Sequence, residues 1–107
     1  MIFMNKKAKK IAGSFKRLLD ERIGESEVII FGSQARGDAK TGSDLDLCVI
    51  IEKNSRAIQN QILDCAWEVG FQYGIVIAPL IYSKRDWAGI MSQSPIVQSI
   101  RSEGIKL

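Results

Sequence analysis

Two aspartates, Asp44 and Asp46, flank Leu45 at the head of the apolar run Leu47 to Ile51. In an extended chain, period-two geometry sends both carboxylates to one face while Leu45 and Leu47 enter a core. Parallel carboxylates repel unless a cation sits between them. An oxygen-only donor pair suits a hard ion such as Mg²⁺, which keeps several waters and shares its shell with substrate phosphates. The plain alternative is a polar strand end with two solvated aspartates. Asp44 and Asp46 are therefore the candidate metal ligands and catalytic residues.

Ten residues separate this pair from Gly32-Ser33, which closes the apolar run Glu27 to Phe31. A strand that ends in glycine and enters a helical turn presents free backbone N–H groups at a positive helix end, where phosphate oxygens bind. Ser33 adds a hydroxyl donor; an ordinary tight turn is the competing reading. Arg36 is placed either to reach a phosphate or to pair with Asp38 or a carboxylate of the aspartate pair. Gln34 and Lys40 are weaker candidates.

The elements that must hold these residues can be read from the surrounding pattern. Ala8, Ile11, Ala12, Phe15, Leu18 and Leu19 recur every three or four residues, which predicts an amphipathic helix from about Lys6 to Arg22, ended by Gly24. Val28-Ile29-Ile30 predicts a buried strand. Ser33 to Ala39 has room only for a helical turn, which Gly37 can close in a left-handed conformation. Thr41-Gly42-Ser43 is a turn, and the second strand runs to Ile51. Ser55 caps a helix carrying Ile58, Ile62, Cys65, Ala66 and Val69, with Gly70 or Gly74 at its end. Ile75 to Tyr82 is a third strand, in which Pro79 points to a sheet edge or a bulge. Ser83-Lys84-Arg85-Asp86 opens a short helix with Trp87 and Ile90 inward. Ser94-Pro95 starts a last one with Ile96, Val97 and Ile100, and Ile105 to Leu107 is left as a tail. This order predicts an α+β fold, a small mixed sheet flanked by helices.

At 107 residues, 46% of them hydrophobic, the chain is expected to form one domain over 1–107. Its apolar stretches are too short for a membrane helix. Met1 to Met4 followed by lysines does not resemble an export signal, so a cytoplasmic protein is expected. Cys48 and Cys65 lack metal-ligand spacing and there is no histidine, which disfavours zinc and haem and leaves two reduced, buried thiols. The net charge of +3 is concentrated in Lys6, Lys7, Lys9, Lys10, Lys16 and Arg17. That run is a solvated helix face or a contact for nucleic acid or an acidic partner. No aromatic residues interleave with it to stack bases.

Phe31-Gly-Ser-Gln-Ala-Arg-Gly-Asp38 followed by Ser43-Asp-Leu-Asp-Leu47 resembles the signature of the polymerase-β-type nucleotidyltransferases. It is most similar to their small prokaryotic branch, the minimal nucleotidyltransferases, many of which are antitoxins paired with HEPN-domain toxins. The matched motif spans Val28 to Ile51. The resemblance implies that Gly32 and Ser33 bind the β- and γ-phosphates of ATP or another nucleoside triphosphate, and that Asp44 and Asp46 hold Mg²⁺. It further implies transfer of AMP to a hydroxyl of a partner protein of the HEPN type. Active members usually add a third carboxylate from the next strand, whereas Ile75 to Tyr82 contains no acid and the equivalent position falls near Ala78. Loss of a general base costs about 10²–10⁴ in rate. A module that binds nucleotide or partner without chemistry is therefore the alternative function. A chain this small is expected to rely on another protein for the contacts to base and acceptor, and a homo-oligomer is a separate expectation. Ile105, Leu107 and Trp87 are candidate interface positions, with burial in the domain's own core the competing fate of the tryptophan.

Overall fold

The computed structural model describes residues 6–37 and 44–107. The expectations for Met1 to Met4, Asp38, Lys40 and the Thr41-Gly42-Ser43 turn lie outside the described residues.

The first helix, α1 (Lys6–Ile23), buries Ala8, Ile11, Ala12, Phe15 and Leu19, the stripe that its apolar spacing predicts. Strand β1 (Glu27–Phe31) follows, then the one-turn helix α2 (Ser33–Arg36) and strand β2 (Leu45–Ile51). Helix α3 (Arg56–Tyr73) starts where the Ser55 hydroxyl accepts the Ile58 N–H at 3.2 Å. It stops at Gly74, left-handed with φ 68°, whose N–H donates to the Gly70 carbonyl.

Strand β3 (Ile77–Ser83) begins two residues later than the apolar run suggests. The Ile75 N–H is already used by the Gly70 carbonyl at the end of α3, at 3.0 Å, so ladder pairing starts only beyond it. Helix α4 (Lys84–Ala88) is capped as expected, the Ser83 hydroxyl accepting the Asp86 N–H at 3.0 Å. Helix α5 (Pro95–Glu103) has proline in its first turn, where a missing N–H costs nothing. Of the apolar residues expected inward on these two helices, Val97 and Ile100 are buried, but Ile90 is 83% exposed and Ile96 46%. Ile90 falls in the irregular turn after Gly89, beyond the reach of the helical period.

The sheet order is β3-β2-β1-β4, where β4 (Ile105–Lys106) is the segment expected to be a tail. It pairs antiparallel with β1, Ile29 opposite Lys106 and Ile30 opposite Ile105, and the Leu107 N–H donates to the Val28 carbonyl at 3.1 Å. Ile105 and Leu107 are partly buried against the main core, so they are structural residues rather than an exposed interface. Trp87 likewise packs within the domain, 5.5 Å from the Tyr82 ring and under the Arg101 guanidinium at 4.8 Å.

Strand β2 is antiparallel to β1 and parallel to β3, giving a mixed sheet in the α+β class. Alternation divides the strand residues between two faces. Val28, Ile30, Leu45, Leu47, Val49 and Ile51 meet α1 and α3, while Ile29, Cys48, Ile50 and Tyr82 meet Val97 and Ile100 of α5. The second face also carries Asp46.

Strand β3 lies at one edge. The Leu45 N–H donates to the Val76 carbonyl at 2.8 Å, and in a parallel ladder alternate residues turn to the same neighbour. Pro79 therefore faces the open side, where its lack of an N–H breaks no bond within the sheet, as expected for an edge proline. No helix among the described residues is long and apolar enough to cross a membrane.

Candidate active site

Register brings the two halves of the motif together. Phe31, the last residue of β1, pairs with Asp46 of β2, so Gly32 leaves the sheet beside the Asp46 side chain. Gly32 has φ 73° and ψ −153°, a region that is essentially glycine-only. A Cβ built there would collide with Asp46 Oδ2, so the position requires glycine for two independent reasons: backbone conformation and the approach of a carboxylate.

Helix α2 then makes its first internal bond from the Arg36 N–H to the Gly32 carbonyl at 3.1 Å and closes at Gly37, left-handed with φ 80°. The N–H groups of Ser33 and Ala35 precede that bond in the first turn, where a helix supplies no acceptor of its own. Gln34 and Ala35 are buried and anchor the turn, which leaves Ser33 and Arg36 as its less buried side chains.

Leu45 and Leu47 are fully buried and Asp46 is half-buried between them, as the alternation predicts. Asp44 is exposed just ahead of the strand. The Asp46 carboxyl is held above its ordinary value, first by loss of solvent and next by the negative charge of Asp44, with the Arg36 guanidinium pulling the other way. These interactions place Asp44 and Arg36 in the electrostatic neighbourhood of Asp46. A hard cation would relieve both causes of the upward shift, and two carboxylates without sulfur or imidazole suit Mg²⁺. Among the described residues no third His, Cys, Asp or Glu completes a metal cluster, so phosphate oxygens and water would supply the remaining ligands.

The third-strand position is now specific. Ala78 is the register partner of Asp46 and shares its face, so the position in the sheet best placed for another carboxylate carries a methyl group. Asp86 lies beyond β3 in the first turn of α4.

Arg36 faces a partner that the sequence does not signal: its Nη1 lies 3.8 Å from Oε2 of Glu103, at the end of α5. Glu103 sits 67 residues away in the chain and carries no motif, so only the packing of α5 brings it to Arg36. The ion-pair reading of Arg36 is thus present with Glu103, its charge also acts on Asp46, and the side chain remains half exposed.

The chain matches the nucleotidyltransferase domain family over residues 8–100. It is similar to two proteins of Methanocaldococcus jannaschii. With "Putative protein adenylyltransferase MJ1305" it shares 33% identity over 95 residues, 84% of this chain and 64% of that protein. With "Putative protein adenylyltransferase MJ0141" it shares 38% identity over 58 residues, 53% of this chain and 59% of that protein. The chain thus spans less than two thirds of the length of either relative.

Proposed function

Because the chain belongs to the nucleotidyltransferase domain family, we propose that it is a Mg²⁺-dependent nucleotidyltransferase that moves AMP from ATP to a hydroxyl of a partner protein. The observation that carries this reading is the fit of Gly32 against Asp46: a glycine-only turn pressed onto the carboxylate of an Asp-x-Asp pair has no use as a plain turn. The names of the two relatives, each "Putative protein adenylyltransferase", support AMP and a protein acceptor. Resemblance to the minimal nucleotidyltransferases favours an antitoxin whose partner is a HEPN-domain toxin.

In this reading the backbone N–H groups at the start of α2 and the Ser33 hydroxyl bind the β- and γ-phosphates, and Arg36 adds charge beside them. Asp44 and Asp46 hold Mg²⁺, which supplies charge neutralisation and alignment. The acceptor oxygen bonds to the α-phosphorus, the bond from that phosphorus to its bridging oxygen breaks, and pyrophosphate departs. The hydroxyl proton passes to solvent or to a base from outside β3, since Ala78 offers none. Catalysis is then mainly positioning.

Ala78 favours a second reading, a module that binds nucleotide or a partner without turnover. Calorimetry with ATP and Mg²⁺, followed by intact-mass analysis of the product of the neighbouring gene, separates the two. Binding together with an AMP-sized mass gain on the partner supports transfer. Binding without that gain supports the module, and absence of ATP binding by a folded protein refutes the nucleotide site.

A further inference from the structure

Arg36 brings the positive charge to the turn from Gly32 to Gly37, and that charge is divided between two acids. Its guanidinium pairs with Glu103 at 3.8 Å and also acts on Asp46.

Local preference does not put an acid at Glu103. It is the last residue of α5, where unpaired carbonyls form the negative end of the helix dipole and disfavour a carboxylate. Arg101 is the kind of residue this turn favours. The acid at Glu103 therefore answers to something outside its own helix, and Arg36 is what it meets.

The backbone on both sides of the pair is fixed from β1. Gly104 has no room for a Cβ between the Ile100 carbonyl and the Ile29 side chain, and β4 begins at the next residue, with Ile105 opposite Ile30. Gly32, where α2 starts, directly follows Phe31 at the end of the same strand. One strand thus holds the carboxylate near the guanidinium without drawing the two into the short contact of a bidentate pair. Both side chains are 47% exposed, so water competes for each and the pair adds little stability. A phosphate offers the same guanidinium shorter, charge-assisted bonds.

We propose that Glu103 is an internal competitor at the nucleotide site, holding Arg36 until a phosphate group of the triphosphate takes it, and so limiting how tightly the turn binds the phosphate chain. This rests on the function proposed above and adds to it a residue of α5 that regulates the same site.

Calorimetry titrates the wild type, Glu103→Gln, Arg36→Gln and the double variant with ATP–Mg²⁺ and with inorganic triphosphate. Glu103→Gln is expected to bind both about two- to fivefold more tightly, the scale of one exposed ion pair. The gain should shrink in the Arg36→Gln background, where no guanidinium remains to compete for, and should fade as salt rises. Glu52→Gln removes the same charge just beyond the far end of β2, where Glu52 pairs with Lys84, and should leave binding unchanged. Glu103 and Arg36 are half exposed, so the variants should fold, and thermal melts check that they do. Unchanged or weaker binding by Glu103→Gln overturns the proposal. So does a gain of equal size with and without Arg36, or one that Glu52→Gln reproduces. Absence of ATP and triphosphate binding by the folded wild type refutes the nucleotide reading and the competition with it, whereas wild-type binding that is indifferent to Glu103 refutes the competition alone.

Discussion

Replacing Gly32 by alanine perturbs the site through two separable causes. The backbone at φ 73° and ψ −153° costs a residue with a Cβ about 1–3 kcal/mol. Unfolding entropy of about 2.1 cal/mol/K per residue over 107 residues is about 0.22 kcal/mol/K, so strain alone should lower Tm by about 4–13 °C. The second cause is the collision of the new methyl with Asp46 Oδ2. Removing that carboxylate by Asp46→Ala should return the steric part but not the backbone part. A double-mutant cycle on urea unfolding at pH 7 without divalent cations is expected to give a favourable coupling of about 0.5–3 kcal/mol. Asp46→Ala alone should be neutral or stabilising under those conditions. The folded pKa is raised, so ionised Asp46 opposes folding above that pKa, and the penalty fades as pH falls through it towards the unfolded value. Strict additivity, within about 0.3–0.5 kcal/mol, would refute the contact between glycine and carboxylate. An unchanged Tm for Gly32→Ala would refute the backbone assignment. Either single variant should lose ATP–Mg²⁺ binding in calorimetry.

Ala78→Asp should place a third carboxylate opposite Asp46, lowering Tm without divalent cations and making the rise in Tm with Mg²⁺ steeper than in the wild type; equal Mg²⁺ responses would show that the two positions do not share a site. If transfer occurs, its rate should rise towards the 10²–10⁴-fold scale of a general base, about that much at most. Burial pushes the Cys48 thiol up to about 12 from its ordinary value of 9.0, so it stays protonated in the fold where the unfolded thiol ionises. Iodoacetamide at pH 8 should therefore spare Cys48 until the domain unfolds, and stability should decline as pH rises from about 9 towards 12. Ile105→Ala, in the short β4, should cost about 1–2 kcal/mol in urea unfolding, below the range for a fully buried isoleucine because the side chain is only partly covered.

The parts of the fold legible in the sequence are those in which local signals agree with packing. The stripe from Ala8 to Leu19, the Ser55 cap, Gly37 and Gly74 as left-handed ends, and the edge position of Pro79 each follow from a rule acting within a few residues. The spacing of Asp44 and Asp46 and the buried leucines between and after them follow from strand alternation. What the sequence does not show depends on long-range pairing. Ile105 and Lys106 form a strand only because β1 offers an open side, and three residues are too few for a pattern. Glu103 reaches Arg36 through the packing of α5. Trp67 and Phe71 read as ordinary apolar positions of a helix, and only the fold shows that they stay exposed among the described residues. Ala78 was approximate by sequence and becomes specific through the register of β2 and β3.

The two halves of β2 are held differently. From Cys48 to Ile51 the strand lies between helices, with α1 and α3 on one face and α5 on the other. At Leu45 to Leu47 the α1 and α3 side is packed, whereas on the other face the half-buried Asp46 lies beside Gly32, and the buried strand residues beneath α5 begin at Cys48. Amide exchange should accordingly form a gradient along a single strand, slow at its far end and quicker at the aspartates. The end that opens first is the one from which Asp44 and Asp46 project, so the carboxylates can adjust to a ligand without disturbing the segment that anchors the sheet.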